Sequence, residues 1–140
     1  MMSLYVVFLR ALYQVHQNNH WEARDYGHHL LFERIYSGIQ EMADEAAEKT
    51  IGVFGELTKQ DKISTIASQF DTSKFEKHGK MKYAASSLAS EQAFQRYAAH
   101  VYEALRQSGE ITLGLDDMIM SQASKSELHM YLLQQIMKDN

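Results

Sequence analysis

An all-α fold is expected for this chain: a bundle of four long helices with a long crossover, carrying a short extra helix, between the second and the third. Three observations lead there. Zero prolines and seven glycines in 140 residues leave few breaks, which favours long helices over a many-turned β architecture. Apolar residues recur at three- and four-residue spacing along four long stretches. Turn-like segments at 24–27 and 108–114 are short, whereas the polar, mixed segment at 56–86 is long.

Helix A is expected over 4–22, because Tyr5, Phe8, Leu9, Leu12 and Val15 share a face that continues to His16 and His20. Asp25 is placed to cap the next helix. Helix B is expected over 27–53, with Leu31, Ile35, Ile39, Met42 and Ala46 on its apolar side and Gly52 and Gly55 near its end. Within the crossover, Ile63, Ile66 and Phe70 stand at helical spacing and suggest the short connecting helix. Helix C is expected over 88–107 through Phe94, Tyr97, Val101 and Leu105, and helix D over 115–137. Short A/B and C/D turns around a long B-to-C connection give the pattern of a ferritin-like four-helix bundle.

At 140 residues with 45% hydrophobic content, the chain is expected to form one domain spanning 1–140 with a real core. A formal charge of -4 and the lack of a Lys/Arg-rich arm argue against nucleic-acid binding through counterion release. With no cysteine, disulfides, thiolate metal sites and cysteine nucleophiles are excluded, so any metal ligands must be His, Asp or Glu. The apolar run 4–9 stops at Arg10, too soon for a bilayer span or a secretory core. A soluble, cytoplasmic protein is the expectation. The eight methionines are scattered over apolar faces and read as core filler.

The chemistry-bearing residues lie on helix B. His29, Glu33, Asp44 and Glu48 fall at about 0°, 40°, 60° and 100° around the helix axis, so they share a face. Along the axis, Glu33 and Asp44 are roughly 16 Å apart and His29 and Glu48 roughly 28 Å, which prevents one chain from closing a single site with all four. Their positions are, however, symmetric about the midpoint between residues 38 and 39. An antiparallel two-fold copy crossing there would bring His29 and Glu33 of one chain to Asp44 and Glu48 of the other, giving two equivalent sites per dimer. Gly38 is expected at that crossing, where a missing side chain lets two backbones approach. His20 would join the site if the short turn folds helix A back against B. Two imidazoles with three carboxylates form a hard, oxygen-rich set with open positions, better suited to iron or manganese than to a structural zinc. Each pair alone also reads as one-turn neighbours on a solvated helix; the palindromic spacing is what sets them apart.

His20 and Trp21, followed by His29, Phe32, Glu33, Tyr36, Asp44, Ala47 and Glu48, resemble the Dps family of miniferritins (DNA-binding proteins from starved cells). The run Ala47-Glu48-Lys49-Thr50-Ile51-Gly52 is similar to that family's end of helix B, and Glu127-Leu128-His129-Met130-Tyr131-Leu132-Leu133 to its last helix. The likeness is strong over 12–55, moderate over 88–137 and weak between. It implies iron ligation by His20, His29 and Glu33 jointly with Asp44 and Glu48 of a two-fold-related subunit. It also implies a hollow dodecamer that oxidises ferrous iron with peroxide or oxygen, acting as a ferroxidase, and stores the ferric product. The chain departs from the family in a segment between Trp21 and His29 that is three residues shorter, in Glu33 where aspartate is usual, and in lacking a basic tail. There is no Glu-x-x-His motif of the kind that builds an intrachain di-iron site in larger ferritins.

Other residues have plainer readings. His28 diverges from His29 by about 100° and reads as surface or cap. His16 fits a place behind His20 or a satisfied core histidine, and Trp21 fits packing at a dimer seam. Asp116 and Asp117 open helix D, where the family places the acidic lining of a three-fold pore; a capping pair explains them as simply. His78, His100 and His129 read as structural. Two other functions compete with the ferroxidase: a protective shell that coats DNA, disfavoured by charge, and a helical assembly protein without metal chemistry, disfavoured by the five-residue ligand set.

Overall fold

The computed structural model describes residues 1–138. Its elements are α1 (Met2–Glu22), α2 (Tyr26–Phe54), α3 (Ile63–Ser68), a 3-10 segment (Thr72–Met81), α4 (Lys82–Ser108) and α5 (Leu113–Lys138). No strand occurs among the described residues. None of their helices is long and apolar enough to cross a membrane. The chain is a helical bundle in which α1 packs against α2 and α4, and α5 against α4 and α2.

The apolar spacing in the sequence accounts for the core. Tyr5, Leu9 and Leu12 of α1, Phe32, Ile35 and Ile39 of α2, Phe94 and Val101 of α4, and Leu115 and Leu133 of α5 join one buried cluster. Phe94 lies at its centre, with ring centroids 5.5 Å from Tyr5 and 6.1 Å from Phe8. Full burial of such a ring contributes about 1.5–3 kcal/mol. The Tyr5 hydroxyl donates to Gln122 Oε1 at 2.7 Å, and Gln122 Nε2 donates to the Met42 carbonyl at 3.0 Å and to Glu45 at 3.1 Å. One buried amide thereby ties α1, α2 and α5 together with both ends satisfied.

Helix ends follow local chemistry. The Asp25 carboxylate accepts from the His28 backbone N–H at 3.0 Å, capping α2 as expected, and that bond holds the carboxyl below its usual range. Gly55 and Gly109 end α2 and α4 at φ values of 86° and 75°, a conformation that a Cβ would disfavour. α4 begins six residues earlier than the apolar pattern suggests. Its first turns carry the small buried residues Ala84, Ala85, Ser86 and Ser87, with Asn19 Nδ2 of α1 donating to Ser87 Oγ at 2.8 Å. The crossover holds the expected short helix as α3, and a 3-10 segment that the sequence pattern does not announce.

Candidate metal centre

The three-residue turn between α1 and α2 returns the chain so that His20 meets His29. His20 Nδ1 lies 2.7 Å from the His29 carbonyl oxygen, and His29 Nδ1 lies 2.7 Å from the His20 carbonyl oxygen. The rings stack with centroids 3.7 Å apart and planes 23° from parallel. Because a carbonyl can only accept, each Nδ1 must carry the hydrogen, which leaves each neutral ring with its Nε2 lone pair free. The reason is partly local: the carbonyls of the last turn of α1 lack helical partners, and the His29 ring supplies one to His20. Donation of the second ring hydrogen to a carbonyl is also how metal-binding histidines are oriented.

Around this pair, Tyr36 packs edge-on to His20 at 5.3 Å and to Tyr13 at 5.2 Å. Desolvation, followed by the nearby Glu33 carboxylate, raises the Tyr36 phenol above its ordinary value. Glu33, Asp44 and Glu48 are exposed on α2. Asp44 opens onto a broad groove of about 1080 Å³ beside Tyr13, Trp21, Gln40 and Ala47. The described residues of one chain contain no group of three or more His, Cys, Asp or Glu side chains able to hold a metal ion. Of the five residues, His20 and His29 are joined by hydrogen bonds, and among the described residues no hydrogen bond or ion pair links Glu33, Asp44 or Glu48 to them.

Gly38 does not occupy the expected place. A Cβ on it would point to His129 Nε2 of α5, 4.0 Å away. At about 100° per residue, position 38 falls opposite His29, so it faces the bundle. Exposed Ser37 and Gln40, equally spaced about the same midpoint, occupy the candidate face instead.

The sequence reading missed Glu91. Fully buried on α4, its Oε1 accepts from His16 Nε2 and His129 Nδ1, both at 3.0 Å, while Oε2 accepts from Ser126 at 2.5 Å. His16 Nδ1 in turn faces Ser87 Oγ at 2.9 Å. Burial alone would raise the Glu91 carboxyl, but the hydrogen bonds from His129 and His16 prevail and lower it to about 2. Both imidazole nitrogens that face Glu91 carry hydrogens, so no lone pairs converge and the cluster is a satisfied core network. His16 is thus a core histidine, and His129 has a buried partner that sequence spacing did not suggest.

His28 stands 3.9 Å from Asp25 at the α2 cap. Asp116 is half-buried and accepts from the Tyr102 hydroxyl at 3.3 Å, whereas Asp117 is exposed. Trp21 is 65% exposed, with little packing in its own chain. No family model, curated protein or solved structure matches the chain.

Proposed function

We propose that the chain is a ferritin-like, Dps-type subunit that binds and oxidises ferrous iron at two equivalent sites across a two-fold dimer, within a larger, dodecameric shell that retains the ferric product. The observation that carries this reading is the reciprocal His20/His29 pair, which presents two free Nε2 atoms at the edge of a helix face bearing Glu33, Asp44 and Glu48. Imidazole and carboxylate together suit iron, and the carboxylates offset the added charge of the ferric state.

The exposed side chains on α2 support the two-fold crossing. Tyr26 and Ile51 are 74% and 49% exposed and equidistant from the midpoint between residues 38 and 39. Tyr26, Leu30, Ile51 and the candidate ligands share one side of the helix, as a self-complementary contact requires. Iron is the substrate here. Two ferrous ions each give one electron to hydrogen peroxide, which takes up two protons and leaves as two waters. This chain's residues bind and orient: His20 and His29 donate lone pairs, the carboxylates supply charge, and Trp21 and Tyr26 shield the seam from water.

The test supplies ferrous iron and limiting peroxide to the purified protein, following ferric absorbance, hydroxyl radical yield and the mass of the iron-bearing species. Rapid oxidation, little radical and ferric iron eluting at about twelve chains are expected. Ferric iron precipitating at the rate seen without protein would reject the reading.

A further inference from the structure

At the end of the bundle away from the α2 midpoint, an open groove of about 880 Å³ lies between the α1–α2 turn, the end of the 3-10 segment and the end of α5. Its charge is opposite to that of the whole chain, which has a formal net charge of -4. Arg24, His28, Lys80 and Lys138 line it, brought from three separate segments, against one carboxylate among the described residues, Asp25. That carboxylate is already engaged by the His28 backbone N–H at the α2 cap. Among the described residues, Arg24, Lys80 and Lys138 form no ion pair. The remaining wall is apolar, with Met81, Tyr83 and Ile136.

We infer that this groove binds a small phosphate-bearing anion, a ligand class independent of the iron chemistry proposed above. A planar guanidinium offers paired N–H donors to a tetrahedral oxyanion, and a lysine adds a mobile point charge. Low-dielectric walls on one side of the groove strengthen the attraction relative to a fully solvated surface. A small anion fits better than a nucleic-acid backbone. The groove gathers Arg24, Lys80 and Lys138 over the span of one small ligand, and the chain's net charge of -4 opposes an extended polyanion.

Inorganic pyrophosphate is titrated into the full-length, iron-free protein at constant ionic strength and followed by calorimetry and by amide shifts in NMR spectra. Saturable binding with shifts confined to residues 23–29, 79–84 and 134–138 is expected. Arg24→Gln combined with Lys80→Gln should weaken it by at least about tenfold, since two charge-assisted contacts are lost. Lys59→Gln combined with Lys62→Gln removes the same charge outside the groove and should change affinity less than about twofold, because such charges are screened. All four side chains are exposed, and circular dichroism would verify the fold. Equal weakening by both pairs, or no saturation, would overturn the inference. So would duplex DNA displacing pyrophosphate at lower phosphate concentration, which would make the groove a nucleic-acid contact.

Discussion

His20 and His29 hold one another through two hydrogen bonds of equal length, each ring Nδ1 lying 2.7 Å from the other residue's carbonyl oxygen. Reciprocity fixes both tautomers at once, so long-range nitrogen–proton NMR spectra of the metal-free protein at alkaline pH should show hydrogen on Nδ1 of both rings. Hydrogen on Nε2 of either ring would remove the lone pair on which the candidate centre depends. His29→Ala should release the end of α1 as well as a ligand, and amide exchange at residues 20–23 should rise in parallel.

Glu91 makes the bundle sensitive to acid. Its carboxyl is lowered from 4.5 to about 2 in the folded chain, so its contribution is fully present above about pH 4.5 and is lost as pH falls toward 2. The unfolding free energy obtained from urea titrations should therefore drop across that window by on the order of 3 kcal/mol from this group. Glu91→Gln should flatten the acid limb while lowering stability at neutral pH, because His16 and His129 would share a weaker acceptor. An unchanged acid limb in that variant would place the sensitivity elsewhere.

How much of this could be read in the sequence depended on whether a residue's environment is local. The apolar positions of α1 and α2 repeat at helical spacing, and Asp25 stands directly before the run that it caps, so those elements and that cap were legible. α4 was not legible over its first turns, since Ser86 and Ser87 look like surface residues until α1 covers them. Glu91 is hidden for the same reason: its partners come from positions 16, 126 and 129, and no spacing within α4 reveals them. Gly38 was misplaced although the angular arithmetic that grouped His29 with Glu48 already puts it on the other side of the helix. The meeting of His20 with His29 was conditional on the turn, which a helical wheel does not describe.

Trp21 and Phe94 should respond oppositely to truncation. Phe94 is fully buried, and Phe94→Ala should cost about 3–5 kcal/mol through the cavity it leaves. Trp21 is 65% exposed, and Trp21→Ala should alter the stability of the isolated chain by no more than about 0.5 kcal/mol. If Trp21 lies at a seam between copies, the same substitution should shift the mass measured by light scattering toward smaller species at low concentration. A destabilised chain with unchanged assembly would contradict its place at a seam.

The shared-site geometry has a test of its own, because it assigns the ligands of one site to two chains. Chains carrying His29→Ala with Glu33→Ala lack one half of every site, and chains carrying Asp44→Ala with Glu48→Ala lack the other half. Neither should oxidise ferrous iron faster than protein-free buffer. When the two are unfolded, mixed and refolded, a heterodimer places the intact His29 and Glu33 of one chain against the intact Asp44 and Glu48 of the other. One site regains all four α2 ligands while its twin loses all four, so part of the oxidation rate should return in proportion to the heterodimer fraction measured by mass spectrometry. All four residues are exposed or half-buried, so the substitutions leave the core intact and the comparison reports on the site. A site within one chain would show no such rescue, since every chain in the mixture still carries a broken half. Heterodimers of verified mass that remain inactive would reject the shared site, even if the unsubstituted protein oxidises iron.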